Sequence, residues 1–327
     1  MSSTEPVLHA PVFIVGHPRS GTSLLAAMLG RNPEVLALPE THFFNEVRYA
    51  LAPHYSKGPD AVASRLQATR MRHLPLEHVA VRDALAGAEM SPKGVFDAIL
   101  IAMLTQSGRH RIVEKTPVHI RHIDDILAMW PDAHVIWIVR DGRAAISSLR
   151  KLDWASKDLS TLARQWTRNM RFAISAHDSN PAQVTRVEYE DLISRPEDVL
   201  LHVCRRIELR YDRVMLDHNQ PTQTVSSFED EWKANVGSPM IASRASAWKE
   251  ELRPDEIIEI EAIIGPLLVN LGYLASRPGS LRALLEGIRE RAVNSALGLR
   301  VQMVLYDFVA ARRFAPSGAN QANTKRR

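Results

Sequence analysis

The fifteen residues from Pro11 to Leu25 (Pro-Val-Phe-Ile-Val-Gly-His-Pro-Arg-Ser-Gly-Thr-Ser-Leu-Leu) constrain this chain more than any other stretch. Val12 to Val15 read as a strand buried on both faces, and a loop bounded by Gly16 and Gly21 leads into a helix over 22–30. Such a unit makes an anion cradle. Glycines reach backbone angles that side chains forbid, so successive N–H groups converge, and the helix adds unpaired N–H groups and a partial positive charge. Thr22 and Ser23 supply hydroxyl donors and Arg19 a cationic fork. The competing reading, an ordinary strand–turn–helix with a capping hydroxyl, accounts for the glycines but not for Arg19 and the Thr-Ser pair together.

From Gly16 the loop reads G-x-x-x-x-G-T-S, one residue from the triphosphate-binding pattern G-x-x-x-x-G-K-[ST]. The lysine that would reach the outer phosphates is replaced by Thr22, and the basic group, Arg19, lies three positions earlier. A second strand, His134 to Val139, runs into Arg140-Asp-Gly-Arg-Ala-Ala-Ile-Ser-Ser148. Arg140 falls at the carboxyl end of that strand, where open α/β sheets bind ligands. Asp141 is placed to cap the next helix, which carries Ser147 and Ser148. A strand-end Arg with a helical Ser eight residues on suits a second phosphate; an Arg on a surface carboxylate is the alternative.

Together the two segments resemble the sulfotransferases that use 3′-phosphoadenosine 5′-phosphosulfate (PAPS), loosely from about Val12 to Tyr273. The P-R-S-G-T loop and the R-D-G-R run at 140–143 are similar to the tyrosylprotein and carbohydrate branches, whereas the cytosolic branch has a lysine in the loop. The resemblance implies that Arg19, Ser20, Gly21, Thr22 and Ser23 hold the 5′-phosphosulfate, and that Arg140 and Ser148 hold the 3′-phosphate. It also explains the absent lysine, since PAPS has no γ-phosphate, and implies sulfuryl transfer without a metal. Developing charge would then fall to the protein's own cations and N–H groups. No His or Cys spacing of the zinc type is present.

The resemblance further implies a general base and a second cation. Glu40, after the strand-like Val35-Leu-Ala-Leu38, matches the glutamate of an E-T-R run that is the base in the tyrosylprotein branch. Here His42 stands where that run has an acceptor-contacting arginine, which turns the expected acceptor from a peptide toward a carbohydrate, glycolipid or small metabolite. His42 and His17 are the rival bases, because imidazole titrates near neutral pH. Lys115, at the end of the short strand 111–114 and followed by Thr-Pro, matches a K-x-P lysine that contacts the sulfuryl group; otherwise it is a surface lysine paired with Glu114 or Asp132. Tyr189, in a Tyr-Glu-Asp-Leu turn, is expected to line the nucleotide pocket or to plug the core, and Lys233 to close over the 3′-phosphate. Trp130, Trp137, Trp166 and Trp248 are expected to pack helices and strands.

Strands near 12–15, 35–38, 111–114, 134–139 and 184–188 alternate with helices, so the fold is expected to be α/β, a doubly wound parallel sheet of about five strands. Helices are expected over 118–130, 158–178, 197–207 and 254–271. Residues 1–275 are expected to form the sulfotransferase domain, with a helical cap at 45–110 beside Glu40. Residues 276–327 then make a basic tail, helical over 281–314 with a disordered end, through which the chain contacts a membrane surface or a second copy. The formal charge of +4 suits a nucleotide and is too small to suggest nucleic acid. One cysteine, Cys204, no long apolar run and no signal-like start lead to the expectation of a cytoplasmic enzyme. Two other function classes stay open from the residues alone: a phosphotransferase with an altered loop, and a nucleotide-binding protein without catalysis.

Overall fold

The computed structural model describes residues 8–76, 78–217, 242–273 and 304. Its centre is a five-stranded, wholly parallel sheet of β1 (Val12–Gly16), β2 (Val35–Ala37), β3 (Arg111–Lys115), β4 (His134–Val139) and β5 (Val184–Glu188), in the order β2-β3-β1-β4-β5. The chain leaves β1 for one edge, returns to lay β3 beside it, then crosses to β4 on the other flank, which is the doubly wound plan. Register fixes the ends: Ile14 pairs with Lys115 and Gly16 with Ile138. Parallel strands covered on both faces need apolar residues at every position, and Val12 to Val15 are completely buried.

Alternate residues of β1 serve the two faces. Val12 and Ile14 pack with Leu25, Met28 and Leu29 of α1 (Thr22–Gly30) in a cluster that also holds Val203 and Cys204. Phe13 meets Trp130, ring centres 5.5 Å apart. Trp130, Trp137, Trp166 and Trp248 are all buried, as packing residues should be. Burial pushes the Cys204 thiol up to about 11, so it stays protonated at neutral pH.

Two compact units emerge. One contains the sheet, His9–Glu40 with Arg109–Val301; the other is centred on Thr41–Gly108. The sheet unit holds α1 and the helices that follow β3. The second unit contains a π turn, Phe43–Val47, then α2 (Arg48–Leu51), α3 (Pro59–Leu66), α4 (His78–Ala86) and α5 (Pro92–Ser107). Its own core includes Phe43 stacked on Phe96 at 4.1 Å, and Ser91 caps α5 by accepting from the Gly94 amide at 3.1 Å. The tail at 276–327, its helical stretch 281–314 and Lys233 lie outside the described residues.

After β3 a single helix over 118–130 was expected. Instead a 3-10 turn at Pro117–Arg121 is followed by α6 (Ile123–Met129). The break falls at His122, whose backbone sits at φ −120°, ψ 20° while its Nδ1 lies 3.1 Å from Asp125 Oδ2. Beyond it come α7 (Gly142–Arg150), α8 (Leu159–Ser179), α9 (Tyr189–Ser194), α10 (Pro196–Arg206), α11 (Trp248–Glu251) and α12 (Pro254–Asn270).

Candidate functional site

Every strand delivers a polar residue to the carboxyl edge of the sheet. Glu40 follows β2, Lys115 ends β3, the loop 17–21 follows β1, Arg140 follows β4 and Tyr189 follows β5. The loop is folded by two left-handed residues, Arg19 at φ 72° and Gly21 at φ 94°. Arg19 holds this conformation against the Cβ strain that non-glycine residues meet there, a condition that clusters at functional sites. Gly21 has a second reason to be glycine, because an added Cβ would lie 2.4 Å from Cδ2 of Tyr189. Gly21 is also the N-cap of α1 and offers no side chain to its first amides. Ser20 is completely buried and its Oγ has no hydrogen-bond partner among the described residues, so the loop holds a hydroxyl that none of them receives.

Around the loop the basic groups converge. Arg19 Nε donates to Ser148 Oγ at 3.1 Å, and Arg140 Nη1 donates to the Arg19 carbonyl at 2.8 Å. Arg140 Nη2 donates to the Arg244 carbonyl at 2.8 Å, and its guanidinium lies 4.4 Å over the Tyr189 ring. Burial first, and then the positive charges of Arg140 and Arg244, pull the Arg19 guanidinium below its usual value against an opposing contribution from Tyr189. Cations crowded together at this cost favour an anion. The Tyr189 ring packs on Gly21, carries Arg140 and belongs to the buried core cluster. Thr22 is buried and Ser23 half-buried in the first turn of α1.

Asp141 caps α7 by accepting from the Arg143 amide at 2.9 Å. Arg143 is internal scaffolding. Its guanidinium pairs with Asp141 at 2.7 Å and Glu261 at 2.6 Å and lies 4.0 Å over Trp248.

Lys115 is completely buried and its Nζ donates to Glu40 Oε1 at 2.9 Å. The two residues that the resemblance assigns to proton and sulfuryl transfer therefore touch, 75 positions apart in sequence. Glu114 turns instead to Thr116 Oγ1 at 2.5 Å and His119 Nδ1 at 3.1 Å. His42, at φ 52°, opens the π turn with Nδ1 3.3 Å from Asn45 Nδ2 and 3.8 Å from Glu46 Oε1.

His17 is unsuited to be a base. It is fully buried, and burial with the nearby charge of Arg121 lowers its pKa to about 3. Arg121 Nε donates to Asn169 Oδ1 at 2.8 Å, so the Asn169 amide nitrogen faces His17 Nδ1 at 3.0 Å and the ring proton resides on Nε2. Unfolded, the same imidazole titrates near 6.5. Between those values the unfolded chain takes up a proton that the folded one refuses, so stability falls as the pH drops below 6.5 toward 3. Denaturation at pH 7 and pH 5 should show wild type losing about 2 kcal/mol more than His17→Asn. Equal losses would mean that His17 is not held neutral.

Sequence reasoning missed Arg244, Asn169 and Arg121. Asn169 left a signal, a lone amide on the face of α8 that otherwise buries Trp166, Met170 and Ala173. Arg244 left none, because only the fold brings it to Arg19. Among the described residues, no group of three or more His, Cys, Asp or Glu side chains is placed to hold a metal ion.

The family model described as "Sulfotransferase family" matches residues 11–213. Protein-tyrosine sulfotransferase of Drosophila melanogaster is 25% identical over 275 residues, covering 80% of this chain and 51% of its own. Protein-tyrosine sulfotransferase 1 of Danio rerio is 26% identical over 273 residues, covering 80% of this chain and 72% of its own. The chain thus spans about half the length of the fly relative. Among solved structures, the sulfotransferase domain from the curacin biosynthetic pathway gives a TM-score of 0.58 at 19% identity, covering 82% of this chain and 99% of that one. The domain from the Synechococcus PCC 7002 olefin synthase gives 0.55 at 21%, covering 80% and 98%. At these identities the structures speak for the fold alone.

The expectation of a cytoplasmic enzyme is overturned, because the protein-tyrosine sulfotransferases that the chain resembles are Golgi membrane enzymes. That expectation rested on a lone cysteine, the lack of a long apolar run and the lack of a signal-like start, and none of these reports a compartment. No helix among the described residues is long and apolar enough to cross a membrane.

Proposed function

This chain belongs to the sulfotransferase family, and from that premise we propose that it moves a sulfuryl group from PAPS to an acceptor hydroxyl. The observation that carries the reading is the cluster of Arg19, Arg140 and Arg244 around a glycine-bounded loop whose Ser20 hydroxyl has no partner among the described residues. The residues fit the donor. The loop and the first turn of α1 offer N–H and hydroxyl groups to the 5′-phosphosulfate, and the arginines offer charge to both ends of the nucleotide. An arginine fork suits two phosphate-like groups, whereas the lysine that reaches a triphosphate is missing.

In the reaction the acceptor oxygen forms a bond to sulfur while the bond from sulfur to the bridging oxygen breaks, and adenosine 3′,5′-bisphosphate leaves. Glu40 takes the acceptor proton. Lys115, 2.9 Å from Glu40, and Arg19 face the charge that moves onto the sulfuryl and bridging oxygens. A carboxylate is a weak base, so the transfer is easiest from a phenol, whose proton leaves near pH 10. The relatives' name, protein-tyrosine sulfotransferase, points the same way. We therefore place a tyrosine hydroxyl ahead of the carbohydrate hydroxyl expected from His42.

Calorimetry tests the donor. Adenosine 3′,5′-bisphosphate should bind at least tenfold more tightly than ATP, with or without magnesium. Tighter ATP binding, or a magnesium requirement, would favour the phosphotransferase. Labelled PAPS with a tyrosine peptide and an oligosaccharide then ranks the acceptors.

A further inference from the structure

Ser147 and Ser148 are neighbours on α7 with different partners. Ser148 Oγ accepts from Arg19 at 3.1 Å, while Ser147 Oγ, completely buried, donates to Glu251 Oε2 at 2.6 Å. Glu251 closes α11, in the segment that opens with the 3-10 turn Ala242–Ala245 and carries Arg244. The same segment is tied to α7 at further points. Lys151 Nζ meets Glu251 Oε1 at 2.5 Å, Arg150 Nη1 meets Glu256 Oε1 at 2.8 Å, and Trp248 lies under the Arg143 guanidinium. At its other end the Arg244 carbonyl accepts from Arg140.

We propose that Ser147 and Glu251 form a clasp that holds the segment carrying Arg244 against α7 and so sets the affinity for the nucleotide donor. The inference rests on the donor reading given above. Arg244, Arg140 and Arg19 repel one another, and Arg244 must be held beside the other two before an anion arrives. Glu251 is suited to that task. Burial raises its carboxyl, but hydrogen bonds from Lys151 and Ser147 and the charges of Lys151 and Arg140 outweigh it, so the carboxyl lies below the usual range and stays ionised. A segment already ordered spares the donor the cost of ordering it. Both residues are positioning residues, acting through Arg244.

The test uses the full chain, with adenosine 3′,5′-bisphosphate binding by calorimetry and steady-state kinetics in varied PAPS. Ser147→Ala and Glu251→Ala should each weaken bisphosphate binding about tenfold. The double variant should lose no more than the larger of the two single losses, because Glu251→Ala already removes the bond from Ser147. Glu251→Gln, which keeps an acceptor for Ser147, should recover part of the loss. The donor KM should rise in step while kcat stays within about twofold. Binding within twofold of wild type in Ser147→Ala, additive losses, or a parallel fall in kcat would each overturn the clasp. Ser147→Ala removes a single oxygen, so it serves even if Glu251→Ala fails to fold. Failure of the wild type itself to bind the bisphosphate would remove the donor reading, and the clasp with it.

Discussion

Glu40→Gln is expected to lower kcat by about 10²–10⁴-fold, the usual contribution of a positioned proton acceptor, and to leave bisphosphate binding within about threefold of wild type. Glutamine keeps an oxygen for the Lys115 ammonium, 2.9 Å away, but cannot take a proton. Alanine would be a poorer probe. Stripping one partner from a buried ion pair costs about 3–5 kcal/mol, and Lys115 is completely buried. Single-turnover rates with saturating PAPS and a tyrosine peptide isolate the chemical step from binding. A glutamine variant within threefold of the wild-type rate would dismiss Glu40 as the base. His42 would then be next, since His17 is held neutral.

The sheet was legible because each strand is a run that only a doubly covered parallel strand tolerates. Val12 to Val15 and Val135 to Val139 leave no exposed position for a polar residue. Their ends were legible for the same reason, and with them Arg19, Arg140 and Tyr189, which stand where the apolar runs stop. The segment after β3 was misread because periodicity carries across a break that one backbone angle makes at His122. Local partners such as the Asp141 cap of α7 could be read, but partners distant in sequence could not. Lys115 had Glu114 and Asp132 as alternative partners, yet it turns to Glu40 across the sheet edge, while Glu114 is taken by Thr116 and His119. His17 looked like a base because imidazole usually titrates near neutrality. Its neutrality comes from burial and from Arg121, and its tautomer from Asn169, 152 residues away. Motifs mark the residues that touch a ligand, whereas the charges and hydrogen bonds that tune them come from unmarked positions such as Asn169 and Arg244.

That distinction bears on Arg140, whose side chain makes three contacts that its motif does not announce. Its fork joins the carbonyls of Arg19 and Arg244, each at 2.8 Å, and its face rests on Tyr189 at 4.4 Å. Arg140→Ala should therefore remove more than one phosphate contact, because it also releases the left-handed Arg19 and the segment of Arg244. Each hydrogen bond to a charged group is worth about 1.5–3 kcal/mol, so the loss should reach about 10²–10⁴-fold in bisphosphate affinity. Arg140→Lys keeps the charge but replaces a planar fork by a point, which cannot span both carbonyls and stack on the ring at once. It should recover part of the affinity, by about tenfold, and no more. Titration at rising ionic strength separates the two contributions, because charge attraction is screened and carbonyl positioning far less so. An alanine variant that binds within threefold of wild type would show that the arginine cluster does not make the donor site. A lysine variant equal to wild type would mean that charge alone suffices and that the fork positions nothing.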